Sequence, residues 1–199
     1  MKIRPLAIEG AFEITPVQHR DARGTFLEWY RFDALAAAVG HPLDLAQANL
    51  STSTRDVVRG VHFADVPPGQ AKYVTCLSGT VLDVAVDIRV GSPTFGAWEA
   101  VLLDDEERRA VYLAEGLGHA FCALTEGATV AYLCSSTYRP GHEHGIDPLD
   151  PELAISWPAG TPLLSAKDAA APSLAEARAA GLLPHYDTCS AYIEASRRI

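Results

Sequence analysis

Positive charge is scarce in this chain. Lys and Arg together number 16 against 25 Asp and Glu, for a net charge of −9. Such a balance argues against binding nucleic acid through a general basic surface, although a few converging cations can still hold a small anion. Long apolar runs are missing as well. No stretch reaches the roughly 18 residues that a membrane-spanning helix needs, and "MKIRPLAIEG" lacks the apolar core of a signal peptide. Cysteine is sparse: Cys76, Cys122, Cys134 and Cys189 lie far apart, with no metal-ligand spacing. Three of them sit in apolar, strand-like runs. They read as reduced, mostly buried thiols of a cytoplasmic protein. There are no internal repeats and no low-complexity segments.

What is present is apolar sequence cut into short pieces. Apolar residues make up 48% of the 199, enough to bury a full core without disulfides, and the length favours one domain over residues 1–199. The 15 Gly and 13 Pro punctuate short runs, the pattern of an all-β sandwich or barrel. In "VLDVAVDIR" (81–89), Leu82, Val84, Val86 and Ile88 share one face, and Asp83, Ala85, Asp87 and Arg89 share the other. Further strands are expected at 26–31, 44–49, 57–63, 72–77, 98–103, 110–113, 120–123 and 129–135. "FDALAAAVG" reads as a helix ended by Gly40. The chain changes character in a helical tail over about 165–199. In "PSLAEARAAGLLP", Ser173 is an N-cap, Glu176 completes a capping box and Gly181 stops the helix. "DTCSAYIEASRR" suits a second helix, and the tail is expected to pack back on the β-domain.

Two polar residues stand out in this apolar background. His62 in "RGVHF" and Lys72 in "GQAKYV" fall in segments that otherwise read as buried strands. A metal-binding barrel would place a second His two residues after the first. Here that position is Ala64, and Lys72 would repel a cation, so a metal site is not expected. A barrel-interior lysine needs an anion, and Asp83 on the polar face of the next strand is a candidate. A core histidine bonded to backbone is the plain alternative for His62. Set beside a desolvated cation, it also makes a base-plus-electrophile pair. Tyr132 is a strand residue or, inside a pocket, a proton donor. His119 lies in a Gly-flexed loop, "EGLGHAF". Arg23 and Arg59, each followed by Gly, are surface arginines unless they join Lys72 in holding a diphosphate.

Taken in order, "DARGTFLE", "QANLS", "RGVHF", "GQAKYV", "SGTVLDVAVDIRVGSPTFG", "LAEGLGHAF", "YLCSSTY" and "LDPELAISWP" resemble the dTDP-4-dehydrorhamnose 3,5-epimerase family. The resemblance covers nearly everything from "DARGTFLE" through "LSAKDAAAPSL". It implies a cupin-like jelly-roll barrel and a homodimer that exchanges N-terminal strands, with no metal and no dissociable cofactor. It implies a dTDP-linked 4-keto-6-deoxyhexose as substrate. By motif, His62 is the base and Asp168 of "SAKD" orients it. Lys72, with Asp83 beside it, stabilises an enolate, and Tyr132 is the opposed acid. Arg59, His119, Tyr138 and Glu143 line the substrate, Gln47 and Asn49 complete the pocket, and Arg23, Phe26 and Glu28 reach the nucleotide from a partner subunit. Ala64, Ala48 and "GLGHAF" depart from the commoner pattern without removing any of these groups. The "LDPELAISWP" region and the tail resemble the branch that makes antibiotic deoxysugars, which favours inversion at C3 over inversion at both C3 and C5. A 3,4-ketoisomerase, a silent sugar-binding cupin and a metal-dependent cupin oxygenase are the competing readings.

Overall fold

The computed structural model describes residues 1–196. Antiparallel strands form two main sheets and one hairpin. The first sheet runs β1 (Lys2–Pro5), β2 (Ala11–Thr15), β10 (Ala110–Leu113), β7 (Lys72–Ser78), β12 (Ala128–Cys134) and β5 (Gln47–Ser53). The second runs β13 (Glu143–Gly145), β6 (Val58–Ala64), β11 (Gly118–Ala123), β8 (Thr80–Val86) and β9 (Trp98–Asp104). β3 (Gln18–Asp21) and β4 (Gly24–Leu27) pair only with each other. From β5 to β8, and again from β9 to β13, successive strands alternate between the sheets, as in a jelly roll, while β8 and β9 pair within one sheet.

Strand alternation accounts for the layers. From β7, Val74 and Cys76 turn inward to meet Val81 and Ala85 of β8, Phe121 of β11 and Val130 of β12 between the sheets. Tyr73 turns outward, under α1 (Phe32–Val39), where it packs with Leu35, Val39 and Tyr112. On the second sheet the outward residues Val84, Val86 and Ile88 are covered by Leu174, Ala177 and Leu183 of the tail. Central strands such as β7, β10 and β11 are therefore buried on both faces over most of their length, which is why they read as continuous apolar runs. The residues expected on the polar face of 81–89 are buried too. Asp87 and Arg89 form a fork-on-fork pair, Nε to Oδ1 at 2.9 Å and Nη2 to Oδ2 at 2.8 Å. Ser92 and Thr94 donate to the same carboxylate, so no charge there is left bare.

The helices follow their sequence signals. α1 ends at Gly40, at φ +92°, whose N–H returns to the Ala36 carbonyl. α2 (Ala166–Ala169) opens on Ser165. α3 (Leu174–Ala179) carries the full Ser173–Glu176 capping box, and Gly181 takes φ +68° just beyond it. α4 is Tyr186–Ser196; the expected helix ran on to Arg198, which lies outside the described residues. All four cysteines are free and buried. Among the described residues, no helix is long and apolar enough to cross a membrane.

Several boundaries differ from expectation. The strand expected at 26–31 stops at Leu27, because Trp29 and Tyr30 fold inward and stack edge-on against Tyr73. The strand expected at 44–49 is β5, Gln47–Ser53, and 81–89 ends as a strand at Val86. β1, β2, β3 and β13 were not expected: they are short, and their polar or exposed residues blur the alternation.

Candidate active site

A cleft of about 300 Å³ opens between the two sheets, lined by Gln47, Asn49, His62, Phe63, Gln70, Lys72, Tyr132, Tyr138 and Glu143. Each wall carries its own chemistry. His62 comes from β6 in one sheet, and Lys72 and Tyr132 come from β7 and β12 in the other. An imidazole and a phenol thus face one space from opposite sides.

The histidine is held by Asp168, 106 residues away, at 2.6 Å from Nε2. Asp168 sits in the first turn of α2, where its N–H donates to the Ser165 side chain at 3.0 Å, a cap that fixes the carboxylate. Burial works to raise the Asp168 pKa. The His62 hydrogen bond and the neighbouring charge outweigh it and hold the carboxyl below its usual range. A carboxylate only accepts, so Nε2 carries the proton and Nδ1 is left as the basic nitrogen. The capped turn of α2 is what brings the two together, and only the fold places it beside β6.

Behind His62 lies a second histidine. His62 and His119 are register partners across β6 and β11. His119 is not on a loop as expected: Gly118–Ala123 is a strand, and His119 is 7% exposed. Its Nε2 meets Asp83 Oδ2 at 2.8 Å. Asp83 is therefore the partner of His119, not of Lys72. Although β7 and β8 are consecutive in sequence, they lie in different sheets, and β8 has β11 as its neighbour. Gly60 allows this closeness. A Cβ there would stand 2.6 Å from the His119 carbonyl oxygen and 2.7 Å from Ala120 Cα, at φ +125°.

Lys72 is 8% exposed and has no ion pair or hydrogen bond through its ammonium among the described residues. Burial depresses its pKa, with Cys134 and Glu143 working in the opposite direction. Burial likewise raises the Tyr132 pKa, helped by Cys134 and Glu143, while Arg59 works against it, so the phenol keeps its proton. Arg59 does not line the cleft: it is tied to β5 by Nε to Ser53 Oγ at 3.1 Å. Gln47 donates to Asn49 at 2.8 Å and accepts from the Tyr138 N–H at 2.8 Å, which fixes the rim.

Arg23, Phe26 and Glu28 are not brought to the cleft within one chain. Arg23 and Phe26 lie on the β3–β4 hairpin, with the Arg23 side chain 89% exposed and Phe26 68% exposed. Glu28 pairs with Arg31 at 3.5 Å. Sequence reasoning missed Phe63 and Gln70, both inside quoted motifs, and the cluster of Asp65 with His142 and His144. The position two after His62 is Ala64, whereas an H-x-H pair, "HEH", stands at 142–144. Among the described residues, no group of three or more His, Cys, Asp or Glu is placed to hold a metal ion.

An oriented base on one wall, with a protonated phenol and a buried lysine side by side on the other, can remove a proton from carbon and return one from the opposite face. This is the equipment of a racemase or epimerase built on a jelly roll. The model of the dTDP-4-dehydrorhamnose 3,5-epimerase family matches residues 5–176, and the chain belongs to that family. It is 57% identical to the dTDP-4-dehydrorhamnose 3,5-epimerase of Mycolicibacterium smegmatis over 100% of this chain and 98% of that one. Two solved structures superpose closely. One is a 4-keto-6-deoxy sugar epimerase from the novobiocin biosynthetic gene cluster of Streptomyces spheroides, at 66% identity, TM-score 0.94 and 95% coverage of both chains. The other is a 3'-monoepimerase from Streptomyces bikiniensis in complex with dTDP-quinovose, at 50% identity, TM-score 0.95, covering 98% of this chain and 99% of that one.

Proposed function

We propose that this protein is an epimerase that inverts C3 of a dTDP-linked 4-keto-6-deoxyhexose in deoxysugar biosynthesis. The observation that carries the reading is the His62–Asp168 pair at 2.6 Å with Tyr132 on the opposite wall of the same cleft. The C4 ketone acidifies the neighbouring C–H bonds. His62 Nδ1 takes the C3 proton, and the electron pair of that bond moves onto the C4 oxygen as an enolate beside Lys72. The Tyr132 hydroxyl then protonates C3 from the other face, and the enolate collapses to the ketone. Solvent reloads Tyr132 and unloads His62. No electrons are gained or lost overall, so the reaction calls for no redox cofactor, and Lys72 takes the place a metal would have beside the enolate. The same set reaches C5 when the sugar is turned. Inversion at C3 is favoured here by the likeness to the 3'-monoepimerase.

The hairpin bearing Arg23 and Phe26, followed by Glu28, is assigned to a second copy's cleft, where it would grip the nucleotide. The test is proton NMR of dTDP-4-keto-6-deoxyglucose with the protein in D2O. Deuterium entering C3 with inversion is expected, and absence of exchange at both C3 and C5 overturns the reading. Light scattering behind size exclusion should give about twice the chain mass of 21.3 kDa. A fully active monomer refutes the shared site, and loss of activity in EDTA restored by a divalent ion refutes the metal-free mechanism.

A further inference from the structure

Outside the dyads already described, one cluster of titratable side chains bridges two strands beside the cleft. β13 is only Glu143–Gly145, an edge strand on β6, and a segment so short has little of its own to fix it. It is gripped from one side. Asp65, just past the end of β6, accepts from His142 Nδ1–H at 3.0 Å and from His144 Nε2–H at 2.7 Å. The Asp65 N–H donates to the His142 carbonyl at 3.0 Å, and the His144 ring lies 5.4 Å from Phe63. The cluster is not a metal cage. Its two imidazoles are spent on one carboxylate.

Period-two alternation says what that grip achieves. Asp65 takes both His142, just before β13, and His144 within it, so the two lie to one side, and Glu143 between them points to the other. Glu143 is the register partner of Ala64, and Gly145 that of His62, so the glutamate shares the cleft-side face with the base. Ala64 has no polar atom with which to hold it. The Glu143 carboxylate itself has no hydrogen bond to another side chain among the described residues, and it lines the cleft with Lys72 and Tyr132.

The titratable groups that line the cleft with Lys72 are Tyr132 from β12, Tyr138, His62 from β6 and Glu143 from β13, and Cys134 of β12 is its register partner. Burial raises the Cys134 thiol pKa and Lys72 only partly offsets this, so the thiol stays neutral. Burial raises the Tyr132 phenol pKa as well, and it also stays neutral. Glu143 is the one carboxylate of that set.

We propose that Asp65 is a positioning residue: by clamping His142 and His144 it fixes β13 so that Glu143 faces Lys72 as its counter-charge. The role rests on the reading of Lys72 as the cation that meets the enolate. Breaking the clamp frees Glu143 to turn to water and leaves the ammonium alone in a dry wall.

The chain contains three lysines, Lys2, Lys72 and Lys167, so protein labelled with 13C at lysine Cε gives a spectrum that Lys2→Arg and Lys167→Arg assign. Asp65→Ala should move the Lys72 titration to lower pH. Glu143→Gln should do the same, and the double variant should move it no further. C3 exchange in D2O should fall about three- to ten-fold in Asp65→Ala, the size of a coupling between neighbouring groups, and not at all when Asp65→Ala is added to Glu143→Gln. If Asp65→Ala fails to fold, His142→Ala/His144→Ala reads the same clamp. A folded clamp variant with an unmoved Lys72 titration, or additive losses in the double variant, overturns the proposal. A wild-type protein that exchanges neither C3 nor C5 overturns the epimerase reading instead, and the lysine titration still judges the clamp.

Discussion

Lys72→Met tests the cation and the fold together. The side chain is 8% exposed, lies between Cys134 and Leu113 in the sheet register, and has no bonded partner for its ammonium among the described residues. The folded protein therefore carries a desolvated charge that Cys134 and Glu143, neither bonded to it, offset only in part. Met has similar length and no charge. Replacing a poorly compensated buried cation by an apolar side chain should stabilise the fold by about 1–2 kcal/mol. For a chain of this size that is roughly 2–8 °C in Tm. Activity should move the opposite way. Removing one preorganised group aimed at a developing oxyanion costs about 10²–10³ in rate. Thermal melts and C3 exchange in D2O measure both sides on one preparation. The pH profile supplies the sign. The protonated lysine is the active form, so its contribution is full at low pH and is lost as pH rises through a pKa that burial holds below the ordinary lysine range. The wild-type alkaline limb should fall there and be absent in the residual activity of the variant. A variant that is less stable and still exchanges at the wild-type rate would refute the reasoning.

Further outcomes follow from the same geometry. His62→Ala should remove exchange at every carbon the protein acts on, a loss of about 10²–10⁴, while Asp168→Asn, which disturbs only orientation and basicity, should lose less; wild-type exchange in His62→Ala would rule out the dyad. Tyr132→Phe should still abstract, so deuterium enters C3 with retained configuration, delivered by His62; equal loss of exchange and inversion would make Tyr132 a pocket wall only. Gly60→Ala should destabilise by about 3 kcal/mol in urea melts, because the new methyl meets the His119 and Ala120 backbone at a strained φ; a neutral result would show that β6 and β11 are not held at that spacing.

The part of the protein written locally was legible from the residues. The capping box of α3 needs only Ser173 and Glu176 three apart, and the Gly40 and Gly181 stops need only the absence of a Cβ. Most of the strand runs in the barrel were visible because both faces are buried, although that burial hid which face of 81–89 looked inward. His62, Lys72 and Tyr132 stood out as polar groups in apolar runs, and the order of motifs tied Asp168 to them. Pairing was the tertiary structure's decision. The sequence adjacency of β7 and β8 pairs Asp83 with Lys72, but these two strands lie in opposite sheets, and Asp83 meets His119 instead. His119 became a strand residue because β11 has partners on both sides. The Asp65–His142–His144 clamp spans 79 residues and rests on a three-residue strand too short to announce itself. Chain order specifies which groups are available and which short elements form. Which of them touch depends on long-range sheet neighbours, and those are set by burying both sheets at once.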